Sequence, residues 1–216
     1  MIKAVLFDLD GTIVDTSYDL IDALNSFLHQ NSMMPISFIK AREKCSDGAK
    51  GLLSLRIDQD EISNENINDY LECYSATNYS RSRLFPLFEE LIDTLRNDGI
   101  AWGIVTNKPR KYTIPLLEKL NIHNYDCLVC GDDYEYRKPA PMPILEALAT
   151  INVKAHHALY VGDAERDMEA GINANAQVIF LDYGYGKFFK HKDTCENVVS
   201  SPRELIDLIK FFIRRD

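Results

Sequence analysis

No apolar run in this sequence approaches the ~20 residues that a membrane-spanning helix needs. The opening stretch Met1-Ile2-Lys3-Ala4-Val5-Leu6-Phe7 is interrupted at once by Asp8 and Asp10. It is too short for a signal peptide or a span, so a cytoplasmic protein with no membrane partner is expected. Positive charge is also scarce: 24 Lys and Arg face 33 Asp and Glu, a formal net charge of -9. That balance excludes a general nucleic-acid binder, which needs clustered cations to displace counterions from phosphates. A small anionic substrate is not excluded, because it requires only a local positive pocket. Nor is there a disulfide framework: the cysteines number five, at Cys45, Cys73, Cys127, Cys130 and Cys195, and the odd count points to reduced thiols. Cys127 and Cys130 form a C-x-x-C, but a redox motif should open a helix, whereas this one lies on a strand-like segment and reads as two core cysteines. Gly/Ser linkers, repeats and low-complexity tracts are missing too. The length of 216 residues then allows one large domain or a core with a smaller insertion.

What is present is an alternation. Four apolar runs, Ala4 to Phe7, Ala101 to Val105, Cys127 to Cys130 and Ala158 to Val161, each end in a polar or glycine-containing stretch, and Gln177 to Leu181 resembles them. Between them lie segments with apolar residues at helical spacing, such as Leu87-Leu91-Ile92-Leu95, Ile114-Leu117-Leu120 and Ile144-Leu145-Leu148. Strand alternating with helix implies an α/β fold with a Rossmann-like, doubly wound parallel sheet, whose strands are buried on both faces and therefore read as continuous apolar runs. From Thr16 to Arg83 the pattern is helical only, with Ile21-Leu24-Phe27-Leu28 and Ile67-Tyr70-Leu71-Tyr74 at amphipathic spacing. We read residues 16–83 as an inserted α-helical cap, and residues 1–15 with 84–216 as the core. Ligands of open α/β sheets bind beyond the carboxyl ends of the strands. The chemistry is therefore expected at the strand ends.

The first strand ends in Phe7-Asp8-Leu9-Asp10-Gly11-Thr12. An Asp-x-Asp pair by itself could cap a turn; functionally, one carboxylate can attack phosphorus while the other donates and recovers a proton. Asp8 is the candidate nucleophile and Asp10 the candidate acid/base, with Gly11 and Thr12 in support. The second strand ends in Thr106-Asn107-Lys108, where a hydroxyl and an amide could bind phosphate oxygens or simply begin a turn before Pro109. Arg137 and Lys138 precede a proline-rich helix start, and either could screen the repulsion between a carboxylate and a phosphate. The fourth strand ends in Gly162-Asp163-Ala164-Glu165-Arg166-Asp167, whose acids could cap the next helix. Hard oxygen donors of this kind also suit Mg²⁺. Asp163, Asp8 and the main-chain carbonyl of Asp10 are then the expected metal ligands, Asp167 orients Lys138 or a metal-bound water, and Glu165 stays unassigned.

Together the four stretches resemble the haloacid dehalogenase superfamily, whose motifs run Asp-x-Asp-Gly-Thr, Ser or Thr, Lys, and an acidic pair. The resemblance selects Lys138 over Arg137, and it implies a Rossmann-like core, a helical cap inserted after the first motif, and Mg²⁺ as cofactor. Asp10 argues against the dehalogenases, which lack the second aspartate, and against the phosphonate hydrolases. Thr106-Asn107-Lys108-Pro109, Lys138-Pro139-Ala140-Pro141 and Tyr183-Gly184-Tyr185-Gly186 are similar to the phosphoglycolate phosphatase branch. Ser82-Arg83-Leu84-Phe85 and Gly162 to Asp167 are similar to the N-acetylmuramic acid 6-phosphate phosphatases. The implied activity is hydrolysis of a small phosphate ester through an aspartyl-phosphate, with a small phosphorylated metabolite as the partner and a monomer or homodimer as the assembly.

Two rivals use the same residues. A sugar phosphomutase would return the phosphoryl group to a hydroxyl, and a receiver-type signalling module would keep it on Asp8 but has no use for a cap or for Asp10. Within the cap, Cys45-Ser46-Asp47-Gly48-Ala49-Lys50 occupies the place of the specificity loop, where Lys50 could offset Asp47. Arg83 is a candidate substrate contact or hinge residue. The apolar segment from Leu205 to Ile213 suits either an interface or a last helix packed on the sheet.

Overall fold

A computed structural model describes residues 1–186 and 196–214; Cys195 lies outside the described residues. Strands β1 (Ala4–Phe7), β2 (Val14–Asp15), β3 (Arg83–Leu84), β4 (Ala101–Val105), β5 (Cys127–Val129), β6 (Ala158–Gly162), β7 (Gln177–Leu181) and β8 (Val198–Val199) form two sheets. The larger has the order β5-β4-β1-β6-β7-β8, and every pairing in it is parallel. β8 is an edge strand that sequence pattern did not show, because its two residues are too short for periodicity.

β1 sits at the centre, with Ala4 beside Ala101 on one flank and Ala158 on the other. Val5 and Phe7 enter one core, while Ala4 and Leu6 enter the core on the opposite face. Successive side chains of a strand point to opposite faces, so burial of both faces requires each position to be apolar. The chain runs from β1 outward to β4 and β5, then returns past β1 to β6, β7 and β8. The carboxyl end of β1 is thus the point where strand order reverses, the usual place for a ligand crevice.

The helices are α1 (Ser17–Gln30), α2 (Phe38–Arg42), α3 (Gly48–Leu53), α4 (Asn64–Ala76), α5 (Phe88–Asn97), α6 (Arg110–Lys119), α7 (Met142–Thr150), α8 (Glu165–Asn173) and α9 (Pro202–Arg214). The first four lie between β2 and β3, with one short 3₁₀ turn and no strand among them. α1 packs along α4, using Leu20, Ile21, Leu24, Phe27 and Leu28 against a face that includes Tyr70 and Tyr74. Ser63 caps α4 reciprocally with Asn66, satisfying two of the amides that a helix start leaves open.

The chain leaves for this helical insertion and returns from it through one neck, where β2 and β3 pair antiparallel with Asp15 opposite Arg83. Beside the neck, the buried Asp19 accepts from Ser82 Oγ at 2.6 Å and from the Arg81 amide. α9 buries Leu205, Ile206 and Ile209, so the apolar C-terminal segment is a helix packed on the core. Cys127 and Cys130 are both buried, and burial pushes their thiols up to about 12 and about 11. Among the described residues no helix is long and apolar enough to cross a membrane.

Candidate active site

Asp8 follows β1 directly, and its side chain meets Lys138 from the loop between β5 and α7. Lys138 Nζ donates to Asp8 Oδ1 at 2.7 Å, to Asp167 Oδ1 at 2.7 Å, and to Tyr160 Oη at 2.8 Å. Tyr160 lies on β6, and its hydroxyl donates to the Val105 carbonyl at 2.9 Å. Lys138 is only 4% exposed and Asp167 only 1%, so these charges have been taken out of water and depend on one another. Asp167 holds Lys138 with one oxygen and accepts the Ala164 amide with the other at 3.0 Å. It therefore serves both readings of that acid, as a support for lysine and as a helix-start acceptor.

The loop carrying Lys138 is fixed by Asn107. Its Nδ2 donates to the Lys138 carbonyl at 2.9 Å and its Oδ1 accepts the Lys138 amide at 3.0 Å. Asn107 lines the same cavity as Asp8, but both polar ends of its amide are engaged in this clamp. The clamp positions the cation and uses one of the two Nδ2 hydrogens, which leaves the second for a phosphate oxygen. Thr106 is buried at the end of β4 and lines the cavity, its Oγ1 accepting the Lys108 amide at 3.1 Å.

Asp163 is fully buried. Its Oδ2 accepts from Ser46 Oγ at 2.9 Å and from the Tyr185 amide at 2.8 Å, and Thr12 Oγ1 donates to Oδ1 at 3.4 Å. Gly11 passes close by with φ +86°, and an added Cβ would stand 2.3 Å from Asp163 Oδ2. Glycine is required there on both counts. The Tyr183-to-Gly186 stretch explains itself likewise: a Cβ on Gly184 would come within 2.3 Å of the Asp163 Cβ.

Ligand atoms of Asp8, Asp163 and Asp167 lie within 4.8 Å of one another. Burial, with Asp167 and Asp163 nearby, raises Asp8 to about 7 even though Lys138 pulls it down, and Asp163 is raised to about 6 by burial and by Asp167. One lysine does not balance this much buried negative charge. The carboxylates of Asp8, Asp163 and Asp167 together form a cluster that could hold a divalent cation. The carboxylate of Asp10 is not in this cluster. It points to Lys108 Nζ, at 3.0 and 3.2 Å, and to Thr16 Oγ1 at 2.6 Å.

Asp8, Asp10, Thr106, Asn107, Lys108 and Lys138 floor a cavity of about 450 Å³ whose far wall is the helical insertion, including Leu20, Ile67, Tyr70, Leu71 and Tyr74. Ser46 and Lys50 line it too, as does Arg137. Arg166 donates to the Ser46 carbonyl and lies 3.7 Å from Asp47, while Arg42 reaches the Gly184 carbonyl at 3.1 Å. The insertion is thus fastened to the core across the mouth of the site. Arg83 is outside the cavity lining, exposed at the neck and bonded to the Ser80 and Ser82 carbonyls. Glu165 lies in the first turn of α8, where an acid favours the helix dipole.

Sequence reasoning did not single out Lys108, Tyr160 or Ser46 for roles. Lys108 had a signal in the Thr106-Asn107-Lys108 motif. Ser46 lay within the Cys45-to-Lys50 loop without a role of its own, and Tyr160 had no signal, since it meets the site only through tertiary packing.

Residues 5–181 match the model of the haloacid dehalogenase-like hydrolases. The chain belongs to that family. Among its curated relatives, an N-acetylmuramic acid 6-phosphate phosphatase of Pseudomonas aeruginosa is 30% identical over 96% of this chain and 95% of its own length. A phosphoglycolate phosphatase of Nitrosospira multiformis is 32% identical over 97% of this chain and 96% of its own. In structure, a predicted phosphoglycolate phosphatase of Haemophilus somnus superposes with a TM-score of 0.84 at 25% identity, covering 97% of each chain. The expected α/β fold and enzyme class hold: this is a haloacid dehalogenase-like hydrolase whose relatives are named phosphatases.

Proposed function

We propose that this chain is a Mg²⁺-dependent phosphomonoesterase that forms an aspartyl-phosphate on Asp8, with N-acetylmuramic acid 6-phosphate as its substrate. The carrying observation is the convergence of Asp8, Asp10 and Lys138 at the floor of one cavity, with Asp163 buried beside Asp8, under an insertion that acts as its cap. Asp8, Asp163 and the Asp10 carbonyl would hold Mg²⁺, which supplies positive charge between a carboxylate and a phosphate. Lys138 supplies a second, fixed cation bonded to Asp8, and Thr106 offers its hydroxyl to a phosphate oxygen.

The Asp8 carboxylate attacks phosphorus in line, the bond to the ester oxygen breaks, and Asp10 protonates the departing alkoxide. Asp10 then takes a proton from water, hydroxide displaces phosphate from the aspartyl-phosphate, and Asp8 returns to a carboxylate. Shielding by the insertion keeps water from the first step, and its opening at the neck admits water for the second.

Size separates the two candidate esters. A cavity of about 450 Å³ falls in the ~300–1,000 Å³ range of sites that enclose drug-sized ligands, far more than a two-carbon acid fills. Its tyrosine and aliphatic wall suits the faces of a sugar ring. The test is Mg²⁺-dependent phosphate release, comparing kcat/KM for N-acetylmuramic acid 6-phosphate and 2-phosphoglycolate. Preference for the sugar phosphate by about tenfold or more is expected. The reverse preference would assign phosphoglycolate instead, and turnover unaffected by chelation would refute the metal.

A further inference from the structure

Tyr74 lies on α4, lines the cavity, and is 1% exposed. Its hydroxyl has no hydrogen-bond partner among the described residues. The neighbouring Tyr70, one helical turn earlier on the same face, shows the contrast: its hydroxyl donates to the Leu20 carbonyl at 3.2 Å. A buried hydroxyl left unpaired is costly, and natural structures keep one where something else satisfies it.

The position of the ring is also specified. Tyr74 packs edge-on against Tyr79 at 5.2 Å and tilts against Tyr112 at 6.2 Å. Lys108 Nζ sits 4.4 Å from its ring centroid while holding Asp10 at 3.0 Å. The ring is therefore one cation away from the group that protonates the leaving oxygen. Whatever is esterified to the phosphate must lie between Asp10 and this wall of the insertion.

We propose that the Tyr74 hydroxyl is a specificity-determining hydrogen-bond donor for an oxygen on the leaving group, and that the cavity selects sugar or polyol phosphates over esters without such oxygens. The inference rests on the phosphomonoesterase reading and deepens it. Burial holds the Tyr74 phenol well above its ordinary value, with the Asp10 charge adding to the effect, so the hydroxyl keeps its proton at neutral pH and acts as a donor. Tyr79 and Tyr112 pack against the ring and hold it in place, so a ligand lacking a suitable oxygen would leave the hydroxyl unpaired.

Tyr74→Phe is the test, because it keeps the ring, its stacking and its contact with Lys108. Steady-state kinetics would be run on N-acetylmuramic acid 6-phosphate, glucose 6-phosphate and p-nitrophenyl phosphate, with the free amino sugar and inorganic phosphate as competing inhibitors. The ratio of kcat/KM for the preferred sugar phosphate to that for p-nitrophenyl phosphate should fall roughly 3- to 10-fold, the yield of one neutral hydrogen bond. The fall should appear in KM, and the inhibition constant of the free sugar should rise relative to that of phosphate. An unchanged ratio, or a wild-type enzyme that prefers p-nitrophenyl phosphate to every sugar phosphate, overturns the inference while the phosphatase reading stands. Absence of turnover on every ester overturns both.

Discussion

Lys108 Nζ lies 3.0 Å from Asp10 Oδ1, in a pair whose side chains are 7% and 17% exposed. This contact joins the loop after β4 to the loop after β1 and holds the Asp10 carboxylate, the proposed acid/base, in place. The same ammonium faces the Tyr74 ring, so the insertion bears on Asp10 through it.

Lys108→Met retains the length of the side chain and deletes the charge. kcat should fall by on the order of 10², the lower bound of what general acid–base catalysis contributes, with a smaller change in KM. The measurement is steady-state kinetics with a folded control by circular dichroism. A kcat within about twofold of wild type would mean that Thr16 alone orients Asp10.

Asp8→Asn should remove phosphate release by more than about 10³-fold, because an amide cannot form the acyl phosphate. The fold should persist, since the change takes one negative charge out of a crowded buried cluster. Retained turnover would overturn Asp8 as nucleophile.

The stability of the metal-free protein should fall as pH rises from about 4 to about 7. Unfolded aspartates titrate near ~3.9, whereas folded Asp8 and Asp163 titrate at about 7 and about 6. In that window the folded state binds more protons than the unfolded one, so stability is greatest at the acid end and is lost through the folded values. Lys138 is raised above its ordinary value, and its contribution is already complete below pH ~10, so it does not reverse the trend. A cation that replaces those protons should raise Tm more at about pH 7.5 than at about pH 5. Thermal melts with and without Mg²⁺ check this, and Asp163→Asn should blunt the gain. A Mg²⁺ effect independent of pH and of Asp163 would place the cation elsewhere.

Gly11→Ala should destabilise the fold by about 1–3 kcal/mol, the usual cost of a non-glycine residue held in a sparsely populated backbone region. It should also weaken the Mg²⁺ response, since the new Cβ would press on Asp163 Oδ2. Urea titration reads the first effect and the Mg²⁺ thermal shift the second. An unchanged midpoint would show that the loop relaxes freely.

The strand ends were legible without coordinates because parallel strands buried on both faces must be apolar at every position, so Asp8, Thr106 and Asp163 each stand out where such a run stops. Boundaries came within a residue or so: β5 ends at Val129 and β6 reaches Gly162. β8 escaped notice, being two residues long.

Composition and linear pattern thus determined the class of fold, the order of its strands along the chain and the residues that stand at their ends. Tertiary structure alone decided which partners those residues have. Asn107 grips Lys138 across 31 positions, Ser46 reaches Asp163 across 117, and Tyr74 closes on Lys108 from a helix inserted far upstream. Local periodicity reports which face of an element is buried, but not what it is buried against. That is set by long-range packing, between core loops as for Asn107 and Lys138 and by the insertion folding back at the neck for the others, with no signature in neighbouring residues.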